Sequence, residues 1–262
     1  MKIAFIDVTT TVSFGGVQTA VWQLAISLTD LGHEVTIYGG EGTARADLDG
    51  RSVAVCTYPF RSRERFPNFG TRFRKLAERI SFARNARADV VTARHDWVIL
   101  TKPFDFFWPR LMPESHPTRF AFMSGGTDFM RGDRWLAGRI KAMVACSHFN
   151  AQQNYGHFKR QVGVMFNGVD TARFVPGQRD EKRRLELGLQ PEDVVFIFAG
   201  RIVGLKGLHL AVQALAKPVL SNFPVKMLVV GNGEALERLK RLARDLGVDG
   251  RVIFHSAVPH AE

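Results

Sequence analysis

Cysteine is almost absent: Cys56 and Cys146 are the only two in 262 residues, and they lie far apart in the chain. Two distant thiols exclude a disulfide framework and read as reduced residues of a cytoplasmic protein. Long apolar runs are missing as well. No stretch approaches the roughly 18 residues of a membrane-spanning segment, and the opening MKIAFIDV is too short an apolar stretch for a secretory leader, with Asp7 interrupting it. There is no short internal repeat and no low-complexity tract. The glycine fingerprint of dinucleotide-binding folds is lacking, because GGVQTA (Gly15 to Ala20) has no third glycine in place, and no Lys-Ser or Lys-Thr pair follows it as in a P-loop. Both absences weigh against oxidoreductase and phosphoryl-transfer chemistry. No His, Cys or Asp cluster has metal-ligand spacing, so no metal and no cofactor are expected.

Acidic residues are outnumbered: 25 against 36 Lys and Arg leave a net charge of +11. The excess is local. Arg61 to Arg87 holds nine cations against Glu64 and Glu78, which is seven of those eleven charges. Such a segment attracts polyanions or an anionic membrane surface. Phe60, Phe66, Phe69, Phe73 and Phe82 interleave with the cations. One reading makes Arg61, Arg63, Arg65, Arg72, Arg74, Lys75 and Arg79 a peripheral contact for lipid headgroups. The other makes the segment a solvated helix face with its phenylalanines in the core. No nucleic-acid motif appears, and the cations do not repeat along one recognition helix, so nucleic acid is not an expected partner.

What is present is an alternation of strand-like and helix-like segments. KIAFID, HEVTIYG, SVAVCTYP, ADVVTAR, TRFAFMS and AMVACS read as strands of a first domain. Helices are expected at Val17 to Leu31, stopped by Gly32, at about Phe69 to Ala86, and after Ser147 as N-cap. The stretch from Asn167, rich in Gly, Pro and charge, reads as a connection. The alternation then restarts with VVFIFAG, a helix from about Leu208, VKMLVVG, a helix from Glu234 to Leu246, and RVIFHSA. This pattern gives parallel sheets covered by helices. The fold class is therefore α/β, with two Rossmann-like doubly wound domains over 1–168 and 191–262, joined by 169–190. The second has about three strands where such a domain has five or six, so it reads as incomplete and the chain as cut short.

Ligands of open parallel sheets bind beyond the carboxyl ends of the strands. In VVFIFAGRIVGLKGLHLAVQAL, Gly200, Arg201 and Lys206 occupy that edge, just before a helix. A forked guanidinium, a point-charge ammonium and free helix N–H groups suit a diphosphate. A solvated loop with two stray cations is the alternative. Gly231 and Gly233 end a second strand before a helix, and in the first domain Gly15-Gly16 follow the loop after the first strand, just before a helix.

Taken in order, GGVQTAVWQLAISLTDLGHEVTIYG, ADVVTARHDW, VACSHFNAQQ, NGVDTARFVP, AGRIVGLKGLHLAVQAL and VVGNGEALERLKRLARDLGVDGRVIFHSAVP resemble the family-four retaining glycosyltransferases of GT-B architecture. The resemblance covers most of the chain. It implies transfer of a sugar, with retention and without metal, from a nucleotide-diphosphate sugar held between the domains to a glycan or lipid-linked acceptor. Arg201 and Lys206 match the pair that neutralises the donor diphosphate, and Gly16 the loop glycine that approaches it. Gly231, His255 and Val258 fall in segments matching the nucleotide contacts. In FAFMSGGTDF, Gly125 stands where many relatives have a histidine, and Asp128 is an acceptor contact or a loop cap. His95 is left unassigned. The family's paired-glutamate motif and its last helix, which braces the first domain, are not among these residues, which implies weak donor binding and little turnover. The alternative is a non-catalytic remnant that binds polyanions or a membrane. Either way a cytoplasmic protein is expected, peripheral at the inner membrane face.

Overall fold

The computed structural model describes residues 1–172 and 174–258. The chain divides into two compact units, Met1–Phe174 and Val175–Glu262. The expected connection at 169–190 spans that division.

In the first unit, β1 (Lys2–Ile6) leads through α1 (Gly16–Asp30) to β2 (Glu34–Gly40) and β3 (Val53–Tyr58). The long α2 (Thr71–Ala93) then returns the chain to β4 (Trp97–Leu100). Short α3 (Trp108–Leu111) precedes β5 (Arg119–Ser124), α4 (Asp133–Leu136) precedes β6 (Ala142–Ala145), and α5 (His148–Phe158) precedes β7 (Gly163–Val164). The strands pair in parallel in the order β3-β2-β1-β4-β5-β6-β7. The chain starts in the middle, winds outward one way, and crosses back to wind the other way, which is the doubly wound pattern.

Each face of this sheet has its own core. On one, α1 buries Val21, Trp22 and Ala25 against Ile3, Phe5, Val35 and Ile37. On the other, α2 buries Phe82, Ala83, Ala86 and Val90 against Ala4, Ile6, Phe106, Trp108 and Phe122. Fully burying one such large side chain stabilises by about 1.5–3 kcal/mol. α5 starts as expected at Ser147, whose hydroxyl accepts from the Asn150 backbone N–H at 3.1 Å.

One expected strand is helical. ADVVTAR forms the last turns of α2, ending at Arg94 in the left-handed region (φ 49°). The buried positions 82, 83, 86 and 90 continue a single helical stripe, so Val90 serves the helix rather than an extended run. The strand that follows, β4, has only four residues and escapes a periodicity reading.

In the second unit, α6 (Glu181–Glu186) is followed by β8 (Val194–Ala199), α7 (Leu208–Leu215) and α8 (Pro218–Ser221). β9 (Val225–Val230), α9 (Leu236–Asp245) and β10 (Val252–His255) complete the described part. The sheet is parallel, in the order β10-β9-β8, with three strands among the described residues. α7 and α9 share one core, where Leu208, Val212, Leu215, Leu239 and Ala243 meet Val225, Met227, Val229 and Val252. Val194, Phe196 and Ile197 of β8 stay exposed. This is the partial doubly wound sheet that the strand count implies. α6 forms inside the charge run read as connection, because Asp180 caps it by accepting from the Arg183 N–H at 2.9 Å.

Candidate functional site

The carboxyl edge of the second sheet is laced by backbone hydrogen bonds. Gly200 N donates to Val230 O at 3.0 Å, Ile202 N to Asn232 O at 2.9 Å, and Gly231 N to His255 O at 3.0 Å. These bonds bring Arg201, Gly231 and His255 to one edge. Gly231 has a reason to be glycine: its φ is +145°, and a Cβ there would stand 1.9 Å from Gly200 O. Lys206 ends a turn at Gly204–Lys206, and Gly207, at φ 69°, opens α7 with no side-chain cap. Arg201 and Lys206 are exposed, and their side chains make no hydrogen bond or ion pair with another described residue. The His255 ring lies 3.0 Å, through Nδ1, from Ser256 O. Val258 is half-buried, three residues past β10.

At the carboxyl edge of the first sheet, Gly16 is the first residue of α1, and Gly15 precedes it with no capping side chain and no acidic residue in the first turn. The N–H groups of that turn therefore lack side-chain acceptors. A Cβ on Gly125 would stand 2.7 Å from Val17 Cγ2, so the loop after β5 lies against this same turn. Asp128, on that loop, forms an ion pair with Lys75 of α2, a partner that neither reading of the sequence named.

A buried charge cluster lies beneath this edge. Arg79 is only 3% exposed. Its Nε lies 3.0 Å from Asp105 Oδ2, its Nη2 3.6 Å from Asp7 Oδ1, and its Nη1 3.7 Å from Glu78 Oε2. Burial pushes the Asp7 carboxyl up, but the Arg79 guanidinium, the Thr101 hydroxyl at 2.5 Å and the Lys102 charge hold it below its ordinary value. Asp105, with burial the larger influence and Arg79 opposing it, is pushed up to about 7. The only local signal for this cluster is three carboxylates in apolar company, as at Asp105 in KPFDFF.

Arg79 therefore leaves the set of surface cations. Its guanidinium is drawn inward because three carboxylates, just after β1, on α2 and on the loop after β4, supply charge that water otherwise would. Arg63 pairs with Glu78 at 3.4 Å, Lys75 with Asp128, and Arg74 donates to Phe66 O at 3.1 Å. Arg61 donates to Arg65 O and lies over the Phe66 ring. Arg61, Arg65 and Arg72 remain exposed. The phenylalanines divide: Phe82 is core, whereas Phe69 and Phe73 are 76% and 42% exposed and touch edge to face. His95 lies before β4, buried, with Nε2 2.8 Å from the Tyr38 hydroxyl. Burial, then the Lys2 charge, lower its pKa, so it stays a neutral structural partner.

Residues 14–173 match the family described as Glycosyltransferase Family 4. The chain belongs to that family. Residues 179–262 match a second description, Glycosyl transferases group 1. Among curated relatives, D-inositol 3-phosphate glycosyltransferase of Rhodococcus erythropolis is 37% identical over 107 residues, which are 38% of this chain and 24% of that protein. The chain thus matches about a quarter of that relative's length. Two solved structures superpose over nearly the whole chain. HepE of Anabaena, in complex with UDP and glucose, has a TM-score of 0.74 at 20% identity, covering 98% of this chain and 70% of its own. Sucrose-phosphate synthase of Thermosynechococcus elongatus has a TM-score of 0.74 at 15% identity, covering 99% and 71%. At such identities these likenesses speak for the fold, which is GT-B.

Proposed function

We propose that the chain is the sugar-donor and acceptor portion of a retaining glycosyltransferase that uses a nucleotide-diphosphate sugar. The observation that carries this reading is the pair Arg201 and Lys206, both exposed and, among the described residues, unpaired at the carboxyl edge of a parallel sheet. Cations without internal partners at that edge are available to an anionic ligand. They would stabilise the leaving diphosphate as its charge grows in the transition state, and so do the work of a metal ion. Gly16 would offer the uncapped turn of α1 as a phosphate-binding turn of the first unit. Gly231, His255 and Val258 are the nucleotide-side residues of this reading, and Gly125 and Asp128 the acceptor-side ones.

The UDP and glucose bound to HepE make a uridine donor the first to try. The inositol phosphate named for the Rhodococcus enzyme adds a phosphorylated polyol to the glycan and lipid-linked acceptors implied by the sequence. A second reading, a chain that binds an anionic membrane without turnover, is favoured by Phe69 and Phe73 standing exposed among Arg61, Arg65 and Arg72. The two are separated by titrating UDP, by calorimetry, into the chain and its Arg201→Ala and Lys206→Ala variants. Each substitution is expected to weaken binding about tenfold or more, the loss of one charge-assisted contact. UDP binding that is absent, or unchanged in both variants, overturns the donor reading.

A further inference from the structure

We infer that Arg79 and Asp7 are positioning residues for sugar transfer, holding the loop between β1 and α1 in the conformation that receives the donor diphosphate. This rests on the donor reading above. A continuous set of contacts runs from the buried cluster to the loop. Arg79 Nη2 lies 3.6 Å from Asp7 Oδ1. That same oxygen accepts from the Thr9 N–H at 2.9 Å and from the Thr9 hydroxyl at 2.7 Å. The Thr9 oxygen accepts in turn from Gln18 Nε2 at 2.7 Å. Gln18 lies on the first turn of α1, and its Oε1 stands 2.8 Å from where a Gly15 Cβ would be. The relay therefore ends over Gly15, the residue before α1.

Stability alone does not explain the arrangement. Well-packed apolar residues replace a buried ion cluster at little or no cost, often with a gain. Here the cluster is arranged so that Asp7 keeps an ionised carboxylate: Thr101 bonds its Oδ2 at 2.5 Å, while its Oδ1 is turned to the loop. A carboxylate with fixed donors sets both the backbone and the side chain of Thr9, where an apolar residue would set neither. The cost is offset by a loop whose first helical turn points one way before any ligand arrives, and preorganisation of this kind is what a phosphate-binding turn needs. Glu78 extends the same cluster to the surface, since its Oε1 accepts from the Arg63 N–H at 3.0 Å.

Thr9→Val tests the relay without touching the buried charges, and Arg79→Met and Arg79→Lys test its anchor. Two readouts are taken on the full chain: hydrogen exchange of the amides at 9–20, and UDP affinity by calorimetry. In Thr9→Val and Arg79→Met, exchange at 9–20 is expected to rise about tenfold while β2 and β3 stay protected, with UDP binding about tenfold weaker. Arg79→Lys, which keeps a charge for Asp7, recovers part of both. If Arg79→Met does not fold, Thr9→Val decides. Unchanged exchange in folded Thr9→Val, or faster exchange with wild-type UDP affinity, overturns this inference alone. A wild-type chain that does not bind UDP overturns the donor reading, and this inference with it.

Discussion

Asp105 shows how one buried side chain sets a property of the whole. Its carboxyl is raised by burial from 3.8 to about 7. The unfolded chain releases this proton near pH 4, whereas the folded chain keeps it to about pH 7. Between those values the folded state binds one proton more, so stability falls as pH rises through the window. The group's favourable contribution is complete at low pH and gone above its folded pKa. Asp7 works in the opposite sense: with its folded pKa depressed, its contribution is lost only as pH falls below the ordinary carboxylate range. Urea midpoints measured between about pH 5 and pH 8 are expected to decline in the native chain and to flatten in Asp105→Asn. An equal slope in both would remove Asp105 as the source. Arg79 is the reason the pair behaves as one unit, since both carboxylates form ion pairs with the same guanidinium.

Among the elements, the approach of two strand–helix turns in the second unit is the tightest constraint. The turn after β9 crosses the turn after β8 so closely that Gly231 has no space for a Cβ, and its backbone lies where only glycine is at ease. Gly231→Ala is expected to destabilise by about 2–5 kcal/mol, from positive-φ strain plus overpacking. The measurement is the denaturation midpoint of the second unit, and an alanine variant as stable as the native chain would contradict the close approach. This constraint also bears on the proposed donor site, because the same crossing fixes the backbone of Arg201. α2 carries the corresponding lesson in the first unit. Its buried stripe and its cationic face share one helix, so neighbouring residues such as Glu78, Arg79 and Ile80 have opposite fates.

For the molecule as a whole, the excess of +11 has a narrower outlet than its sequence distribution suggests. Arg79 is buried, and Arg63 and Lys75 are paired with carboxylates. Of the cations in 61–87 that stay exposed, Arg61, Arg65 and Arg72 lie nearest in sequence to the exposed Phe69 and Phe73. No helix among the described residues is long and apolar enough to cross a membrane. Three cations near an anionic bilayer contribute about 1 kcal/mol each, enough for partial, salt-sensitive recruitment. Co-sedimentation with phosphatidylserine vesicles is expected, reduced at high salt and in a Phe69→Ser, Phe73→Ser variant. Equal binding to neutral vesicles would refute an electrostatic contact. The sequence by itself determined the α/β alternation, the two sheets and the placing of Gly16, Arg201, Lys206 and Gly231 between strand and helix, because periodicity and turn chemistry are encoded within a few residues. Only the tertiary structure decided which cations face water. Arg79 with Asp105, Lys75 with Asp128, and Thr101 with Asp7 are separated by 26, 53 and 94 positions. No local pattern records such pairings; they exist because strands distant in sequence end at the same sheet edge, where buried charges must find one another or remain unsolvated.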